Sequence, residues 1–251
     1  MRRLLFPALF VFLLVSSCGR PRRTADNEIL FSISQTATST DARWEFLKLG
    51  RDGQVHEEFD DDCYYEPLVE RRGALHVDDG MATWKSPLLP TDGIVLRADR
   101  TQAHVDHIAW RTGDMLSFDA RGFAMPEPKP FELDAPPVDL EVIAPLAGEL
   151  DVSGDRDLDI LWTPPSKPTL SNIAVQLDSD SRDRIICFFP IEPGHASVPA
   201  GLLHLLRARS RSKDGTLKIG SHRQVDVPGP GSWYIYVVAS HVARSQPFRL
   251  N

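Results

Sequence analysis

Residues 158–165 read LDILWTPP, the pattern of a buried β-strand followed by a turn. The apolar side chains Leu158, Ile160 and Trp162 alternate with Asp157 and Asp159, so they share one face of an extended chain. A proline pair then ends the strand, because proline has no N–H to donate to a ladder of hydrogen bonds. The stretch therefore predicts a strand with one face in a hydrophobic core.

The same period-two pattern continues on the C-terminal side of this stretch. Further strands are predicted at residues 173–177, 217–219 and 233–237. Residues 184–189 are apolar on both faces, which predicts a central strand. Residues 198–206 break the pattern: leucines at helical spacing follow Pro199, which predicts one short helix capped by Ser197.

The N-terminal half of the chain follows the same rule. Strands are predicted at residues 29–33, 44–46, 54–55, 81–84, 93–96 and 115–118. The turn sequence GRDG at 50–53 joins the strands at 44–46 and 54–55 as a hairpin. The turn sequence DDG at 78–80 precedes the strand at 81–84. Frequent turn signals between short strands are typical of β-sandwiches and small barrels.

A proline-rich segment divides the chain. Five prolines among residues 126–137 interrupt the strand pattern, so we interpret the segment as a semi-stiff connector that contains the domain boundary. The predicted fold class is all-β, with two small β-sandwich-like domains after a lipoprotein signal peptide and one short helix in the C-terminal domain. The predicted ranges are a signal peptide at 1–17, a lipidated tether at 18–27, an N-terminal β domain at 28–135 and a C-terminal immunoglobulin-like sandwich at 136–251.

The N-terminus has the pattern of a bacterial export signal. Two arginines precede twelve apolar residues at 4–15, which as a helix would reach only about 18 Å and so fall short of a membrane span. The sequence VSSC at 15–18 resembles a bacterial lipobox, which implies that Cys18 is acylated after cleavage in front of it. Gly19 is not the aspartate of an inner-membrane retention signal, so we expect the outer membrane. The alternative is an ordinary secretory peptide in which Cys18 has no role.

The charge of the chain limits its partners. The full chain of 251 residues has a net charge of −7. Removing residues 1–17 takes away two of the 28 basic residues, so 26 remain against 35 acids and the net charge becomes −9. Binding to a phosphate backbone needs a basic face. The composition therefore argues against a nucleic-acid partner.

Two thiols remain once Cys18 is acylated. Cys187 lies between Ile186 and Phe188, which favours two free, buried thiols at Cys63 and Cys187. A disulfide between them is the alternative, because the cell envelope is an oxidising compartment.

Several groups of histidine and acidic residues are candidate metal ligands. His104, Asp106 and His107 lie within four residues, but in a strand His107 points away from the other two, so we interpret them as an exposed strand edge or loop. Acidic residues at 57–62 do not match the spacing of an EF-hand loop and are interpreted as turns. The same spacing test fails for the aspartates at positions 151, 155, 157 and 159. We therefore expect no metal site.

Two further patterns concern catalysis and anion binding. Ser210 and Lys213 fit the motif Ser-x-x-Lys, but the companion motifs of serine acyl-enzymes do not occur in the sequence. The alternating basic residues at 207–213 are interpreted as a solvated strand entry, with contact to an anionic lipid or glycan as the alternative. No P-loop or dinucleotide fingerprint occurs, so no cofactor is expected.

Two resemblances to known families add to this interpretation. Residues 158–165 and 234–247 resemble the tryptophan strand and the final two strands of a fibronectin type III or immunoglobulin-like sandwich. A second resemblance, to uncharacterised lipoproteins common in myxobacteria and their relatives, is carried by Trp110, Gly113, Asp114, Leu116, Gly122, Pro126, Phe131, Pro136, Cys187, Phe188, Val198, Pro199, Leu202 and Leu203. Together the resemblances cover nearly the whole mature chain. They imply a fold and an anchor but no activity.

These observations favour a non-enzymatic, lipid-anchored protein of the cell envelope with a binding or structural role. Its expected partners are the membrane and an envelope protein or glycan; the oligomeric state and the face of the outer membrane stay open. The first alternative is a carbohydrate- or peptidoglycan-binding module that stacks sugars on Trp44, Trp84 and Trp110, which we otherwise interpret as core residues. A weaker alternative is a metal-dependent hydrolase.

Overall fold

The computed structural model describes residues 27–48, 57–58, 62–66, 80–122, 130–181, 183–228 and 233–251. The signal peptide and Cys18 lie outside these residues, as do the tether up to residue 26, the turn and strand predicted at 50–55, and the turn at 78–79.

The described residues form strands and one helix. In chain order these are β1 (Asn27–Gln35), β2 (Thr40–Lys48), β3 (Glu57–Glu58), β4 (Cys63–Glu66), β5 (Gly80–Lys85), β6 (Ile94–Arg97), β7 (Gln102–Val105), β8 (Met115–Gly122), β9 (Phe131–Asp134), β10 (Val142–Ala144), β11 (Leu150–Val152), β12 (Leu158–Trp162), β13 (Asn172–Ser179), β14 (Arg184–Pro190), β15 (His195–Val198), α1 (Ala200–Arg209), β16 (Asp214–Pro228) and β17 (Trp233–Leu250). The fold class is all-β, as the alternating sequence pattern predicts.

One ten-stranded sheet, here called the central sheet, runs through the molecule. Its strand order is β3-β4-β14-β13-β16-β17-β1-β2-β7, and β11 pairs with the end of β17. A four-stranded sheet, β6-β5-β8-β9, packs on one half of the central sheet. The three-stranded sheet β10-β12-β15 and α1 pack on the other half. The result is two β-sandwiches on one shared sheet.

The N-terminal sandwich is the half that carries the four-stranded sheet. Its face of the central sheet consists of β1, β2, β7, the C-terminal part of β16 and the N-terminal part of β17. Phe118 lies at its centre, with ring centroids 5.0 Å from Phe31 and 4.8 Å from Trp84. Tilted aromatic contacts of this kind add to the free energy gained by burying the rings.

The C-terminal sandwich is the half that carries the three-stranded sheet. Trp162 is buried there, and its indole Nε1 donates a hydrogen bond to the Ile191 carbonyl at 2.7 Å. The helix α1 closes this core with three buried leucines, Leu202, Leu203 and Leu206. Burial of one such side chain stabilises a fold by about 2 kcal/mol.

Strands β16 and β17 belong to both sandwiches. Ile235, Val237 and Ala239 lie in the N-terminal core, whereas Phe248 and Leu250 of the same strand lie in the C-terminal core. The ranges predicted for the domains, 28–135 and 136–251, stay a prediction. Each core nevertheless contains strands from both sides of that division, because Cys63 and Tyr65 of β4 lie in the C-terminal core.

The boundary between the two cores lies at an irregularity in the β16–β17 ladder, and both cores lie on the same face of these strands. The register shifts between Ile219 and Gly220. A Cβ atom placed on Gly220 would lie 1.9 Å from the carbonyl oxygen of His241. The two backbones therefore approach closely at this point only because position 220 has no side chain.

Two strand predictions are wrong in detail. Residues 131–134 of the predicted connector form β9, which pairs with β8, because Phe131 and Leu133 alternate with acids between the prolines. The segment 234–247, expected to hold two strands, is part of the single strand β17. Pro247 lies opposite Thr216 of β16, and on the other side of β17 it falls between the end of β1, opposite His241, and the start of β11, opposite Phe248. Leu250 donates its N–H to the Lys213 carbonyl on the β16 side, so alternation turns the missing N–H of Pro247 to the other side, where neither β1 nor β11 pairs with it.

The predicted cap of the helix is also wrong. The N-cap position is Pro199, which makes no side-chain hydrogen bond. Asp157 instead accepts a hydrogen bond from the backbone N–H of Ala200 at 2.7 Å, and Ser197 donates to Asp159 at 2.6 Å. A carboxylate at a helix N-terminus is favourable because the helix dipole and the unpaired N–H groups are positive there.

The structure corrects the preference for free thiols, since it joins Cys63 and Cys187 in a disulfide with an S–S distance of 2.16 Å. The two cysteines are direct partners in neighbouring antiparallel strands, Cys63 in β4 and Cys187 in β14. The bond thus fixes a strand from the first half of the chain to the C-terminal sandwich. The strand β14 lies inside the sheet between β4 and β13, as its apolar faces predict.

Candidate functional site

The three tryptophans considered for sugar stacking belong to the N-terminal core. Trp44, Trp84 and Trp110 are 4%, 0% and 0% exposed. The indole Nε1 of Trp110 also donates to the Pro136 carbonyl at 3.0 Å. A ring with no free face cannot stack on a sugar, so these residues provide no basis for a carbohydrate module.

His104 lies on the exposed edge strand β7 and makes two ionic contacts. Its Nδ1 is 2.7 Å from a carboxylate oxygen of Asp41, and its Nε2 is 2.9 Å from one of Asp106. The hydrogen bond to Asp41 has the larger effect and the hydrogen bond to Asp106 the next, and both raise the pKa of the His104 imidazole. Both ring nitrogens face carboxylates, so the protonated ring is favoured over a metal-binding one. His107 uses its carbonyl to accept a hydrogen bond from Thr40.

The aspartates between 151 and 159 have separate roles. Asp151 accepts a hydrogen bond from Asn251, and Asp155 lies 4.0 Å from the guanidinium of Arg207. Asp157 and Asp159 serve the helix and the neighbouring strand as described above. Among the described residues, no three histidine, cysteine or acidic side chains are arranged to hold a metal ion. Of the acidic stretch 57–62, the side chain of Asp62 alone falls within the described part.

The Ser-x-x-Lys sequence does not form a catalytic pair. The Ser210 hydroxyl is buried and hydrogen-bonds to the Ser181 hydroxyl, whereas the Lys213 ammonium donates to the Arg207 carbonyl at the end of α1. The alternation of the basic residues around it predicts a strand, and this prediction is wrong. Arg207 and Arg209 lie in the last turn of α1, and the Arg209 guanidinium is 5.4 Å from the centre of the Tyr65 ring.

A layer of buried polar groups separates the two cores. The Gln35 side chain accepts hydrogen bonds from the backbone N–H groups of Ala109 and Trp110 and donates to the Trp110 carbonyl. His241, its partner on β17, is 7% exposed, and within the described residues its Nδ1 has no hydrogen-bond partner. Burial lowers the pKa of His241, which the negative charge of Asp139 partly opposes. Gln35 thus ties the end of β1 to the backbone that precedes β8, which is a structural role.

An open cavity lies at one end of the outer face of the four-stranded sheet. Its volume is about 670 Å³, and the residues that line it are Gly80, Met81, Arg97, Ala98, Asp99, Arg121 and Gly122. We call it the arginine cavity. Met81 of β5 pairs directly with Arg97 of β6 on one side and with Arg121 of β8 on the other. The three side chains therefore stand in one row on the same face of the sheet.

Both arginines of this row have donors free for a ligand. Arg97 forms no ion pair with any described residue, and the Arg121 Nε lies 3.2 Å from Asp119 while 65% of its side chain is exposed. Gly80 and Gly122 are direct partners in the next pair along these strands and also line the cavity. A second cavity of about 490 Å³ continues along the sheet from Met81 and Arg121, and its lining includes Lys85, Asp92 and Asp119. The paired donors of the two arginines suit an anion.

Sequence reasoning missed the arginine cavity. Arg97 and Arg121 lie just beyond the predicted strands 93–96 and 115–118. Period-two alternation predicts the face of the sheet on which each side chain lies, but not which strands are neighbours. Their meeting across Met81 depends on the pairing of β5 with both β6 and β8, for which the sequence has no direct signal.

Comparisons with known proteins show only remote likenesses. No family model and no curated protein matches the chain. Among solved structures it is similar to a two-domain fibronectin type III segment from chicken tenascin, with 14% identity, a TM-score of 0.21, and coverage of 84% of this chain and 95% of that one. It is also similar to three N-terminal domains of the outer capsid protein Hoc of bacteriophage RB49, with 9% identity, a TM-score of 0.25, and coverage of 90% and 71%.

A third solved structure, the FN1–FN3 domains of chicken CNTN1, has 11% identity and a TM-score of 0.20, with coverage of 84% of this chain and 64% of that one. Likenesses at this level do not extend to particular residues or to function. The resemblance to myxobacterial lipoproteins stays a prediction. Among the described residues, no helix has the length and apolar composition needed to cross a bilayer.

Proposed function

We propose that the protein is a lipid-anchored, non-enzymatic component of the bacterial cell envelope, with a binding or structural role. The observation that supports this proposal is the position of β1. This strand directly follows the tether and pairs in parallel along its whole length with β17, from Asn27 opposite Trp233 to Gln35 opposite His241. The strand β17 then continues into the C-terminal sandwich.

This pairing connects an anchored N-terminus firmly to both sandwiches. A pull on the tether acts on a ladder of hydrogen bonds and on the buried side chains Ile29, Phe31 and Ile33 rather than on a loose end. The C-terminal sandwich lies at the far end of β17, away from the tether. In the proposed arrangement it faces an envelope protein or glycan, and the outer membrane holds the acyl chains.

The anchor is tested by fatty-acid labelling of the full chain in a bacterial host. We expect the wild type to incorporate labelled palmitate and to fractionate with the outer membrane, and Cys18→Ala to lose both. The double variant Cys63→Ser/Cys187→Ser is the matched control and keeps the label. Labelling of Cys18→Ala equal to that of the wild type would show that the anchor is wrong.

The binding role is tested separately by crosslinking in envelope membranes and identifying what is captured by wild type and by a Cys18→Ala chain. Specific capture by the anchored chain alone is the expected result. A hydrolase activity of the purified protein that disappears in His104→Ala would contradict the non-enzymatic part of the proposal.

A further inference from the structure

The tether and the arginine cavity lie at the same end of the N-terminal sandwich. β1 begins at Asn27 beside the start of β17 and ends at Gln35, whose side chain bonds to the Trp110 backbone. Trp110 lies shortly before β8, so β8 begins near the end of β1 and runs back towards its start. Contact between Phe31 and Phe118 confirms this opposite direction. Gly122, at the end of β8, is therefore near the end at which the tether enters.

The length of the tether keeps this end close to the membrane. From Cys18 to Asn27 the chain takes nine steps, which span at most about 32 Å when fully extended. Strand β17 has 18 residues, so its far end lies about 55 Å from Asn27 along the sheet. With an anchor at Cys18, the arginine cavity lies within reach of lipid head groups, and the far end of β17 lies well beyond them.

The chemistry of the cavity fits a phosphate group. Arg97 and Arg121 flank Met81, with Cα atoms about 10 Å apart across two strand spacings. Long arginine side chains can converge from that separation on one phosphate, which guanidinium groups bind with paired hydrogen bonds. Met81 offers an apolar surface between them for the apolar part of a lipid that adjoins its phosphate. Asp99 and Asp119 repel any anion at the site, so occupancy depends on a high local concentration of phosphate groups, which an adjacent anionic membrane provides.

Basic residues of the tether act at the same end of the molecule. The mature chain has a net charge of −9, so attraction to an anionic membrane has to come from local groups of basic residues. The tether carries Arg20, Arg22 and Arg23, and each basic residue near an anionic surface contributes about 1 kcal/mol of attraction. The arginine cavity adds Arg97 and Arg121, beside Asp99, at this end of the folded body.

We propose that the arginine cavity binds the phosphate of an anionic lipid head group in the membrane that holds the anchor. The inference rests on the proposed lipid anchor at Cys18. It assigns Arg97 and Arg121 to the phosphate and Met81 to the adjoining apolar part of the lipid, and it orients the N-terminal sandwich towards the bilayer.

The test uses the full lipidated chain in a non-ionic detergent, titrated with dihexanoyl phosphatidylglycerol and dihexanoyl phosphatidylcholine. We expect the anionic lipid to bind about tenfold more tightly, and Arg97→Gln/Arg121→Gln to lose that difference. Arg211→Gln, an exposed arginine beyond α1 in the C-terminal sandwich, is the matched control and keeps it. Equal binding of the two lipids by wild type, or an unchanged preference in the double variant, would overturn the inference.

A competition with inorganic phosphate separates the two sources of this chemistry. Displacement of the anionic lipid by inorganic phosphate at equal concentration would assign the cavity to a free anion and overturn the lipid. Fatty-acid labelling of the same variants keeps the two proposals apart. Normal labelling without head-group selectivity rejects this inference alone, whereas loss of labelling in wild type rejects the anchor on which it rests.

Discussion

The two sandwiches obtain their halves of the central sheet in different ways. In the C-terminal sandwich, β10 to β17 follow one another in sequence, and β4 pairs with β14 and is joined to it by the disulfide. In the N-terminal sandwich, β1 pairs with β17, a strand from the other end of the chain. The N-terminal core therefore depends on Ile235, Val237 and Ala239, whereas the C-terminal core has most of its residues close in sequence.

The hairpin of β16 and β17, rather than a linker, therefore joins the two sandwiches. Strands β16 and β17 are continuous from one core to the other apart from the irregularity at Gly220. Separation of either strand from the central sheet exposes buried residues in both cores. We therefore infer that the sandwiches unfold together, and the predictions below test their dependence on the shared strands.

The largest expected effect comes from a charge in the shared strand. Val237 is fully buried in the N-terminal core, so Val237→Asp is expected to cost about 5 kcal/mol in the free energy of unfolding. Urea unfolding followed by tryptophan fluorescence measures the change. Val238→Asp, on the opposite face of the same strand, is the control and should cost far less. Equal costs would contradict the assignment of faces.

Removal of the disulfide is expected to have the next largest effect. The bond closes a loop with a sequence separation of 124, so Cys63→Ser/Cys187→Ser should lose about 4 to 5 kcal/mol in the chain-entropy model. Urea unfolding of the oxidised wild type and the double variant provides the comparison. A loss below about 1 kcal/mol would show that β4 adds little to the C-terminal sandwich.

The tryptophans at the centres of the two cores should respond differently to the same change. Trp162 donates a hydrogen bond to Ile191, whereas the indole N–H of Trp84 has no partner among the described residues. Trp162→Phe leaves a buried carbonyl unpaired, and Trp84→Phe removes a buried unpaired donor. We expect Trp162→Phe to cost about 1 to 2 kcal/mol more than Trp84→Phe in thermal unfolding, and a reversed order would contradict these partners.

The smallest expected effect is a pH dependence at the polar layer between the cores. Burial lowers the folded-state pKa of His241 below the ordinary value of about 6.5, so the unfolded chain takes up the proton first. The stability from the neutral ring is present above about pH 6.5 and is lost as the pH falls through that value towards the folded-state pKa. His241→Gln should remove this loss in unfolding measured between pH 7.5 and 5.5.

His104 provides the control of opposite sign. Its pKa is raised by Asp41 and Asp106, so its contribution is fully present below about pH 6.5 and is lost as the pH rises through the folded-state pKa. A His104→Gln variant should therefore keep the loss of stability on acidification. If it abolished that loss and His241→Gln did not, the assignment to His241 would be wrong.

The sequence predicts strands well where alternation is strong, as at Leu158, Ile160 and Trp162, and it predicts the helix from its leucine spacing. It does not predict the pairing of β1 with β17, because period-two patterns specify faces and not partners. The short strand β9 is also not predicted, because the prolines on both sides of it are local signals that break strands. Local breaking signals were outweighed by the tertiary burial of Leu133.

The candidate sites show the same limit. Core burial of the tryptophans follows from their alternation, and the sequence separates it correctly from sugar stacking. The preference for free thiols at Cys63 and Cys187 is wrong because their pairing depends on the neighbouring positions of β4 and β14, which the sequence does not show. Arg97 and Arg121 meet only through the pairing of β5 with two strands, so no local pattern could reveal them.

The shared hairpin is tested most directly by native-state hydrogen exchange of the backbone amides in the two halves of β17. Amides around Val237 report the N-terminal core, and those around Phe248 report the C-terminal core. If the sandwiches unfold together, the most protected amides of both halves should give opening free energies that agree within about 1 kcal/mol and should fall together in Val237→Asp. A C-terminal half that keeps its full protection while the N-terminal half opens would show that the two sandwiches are independent.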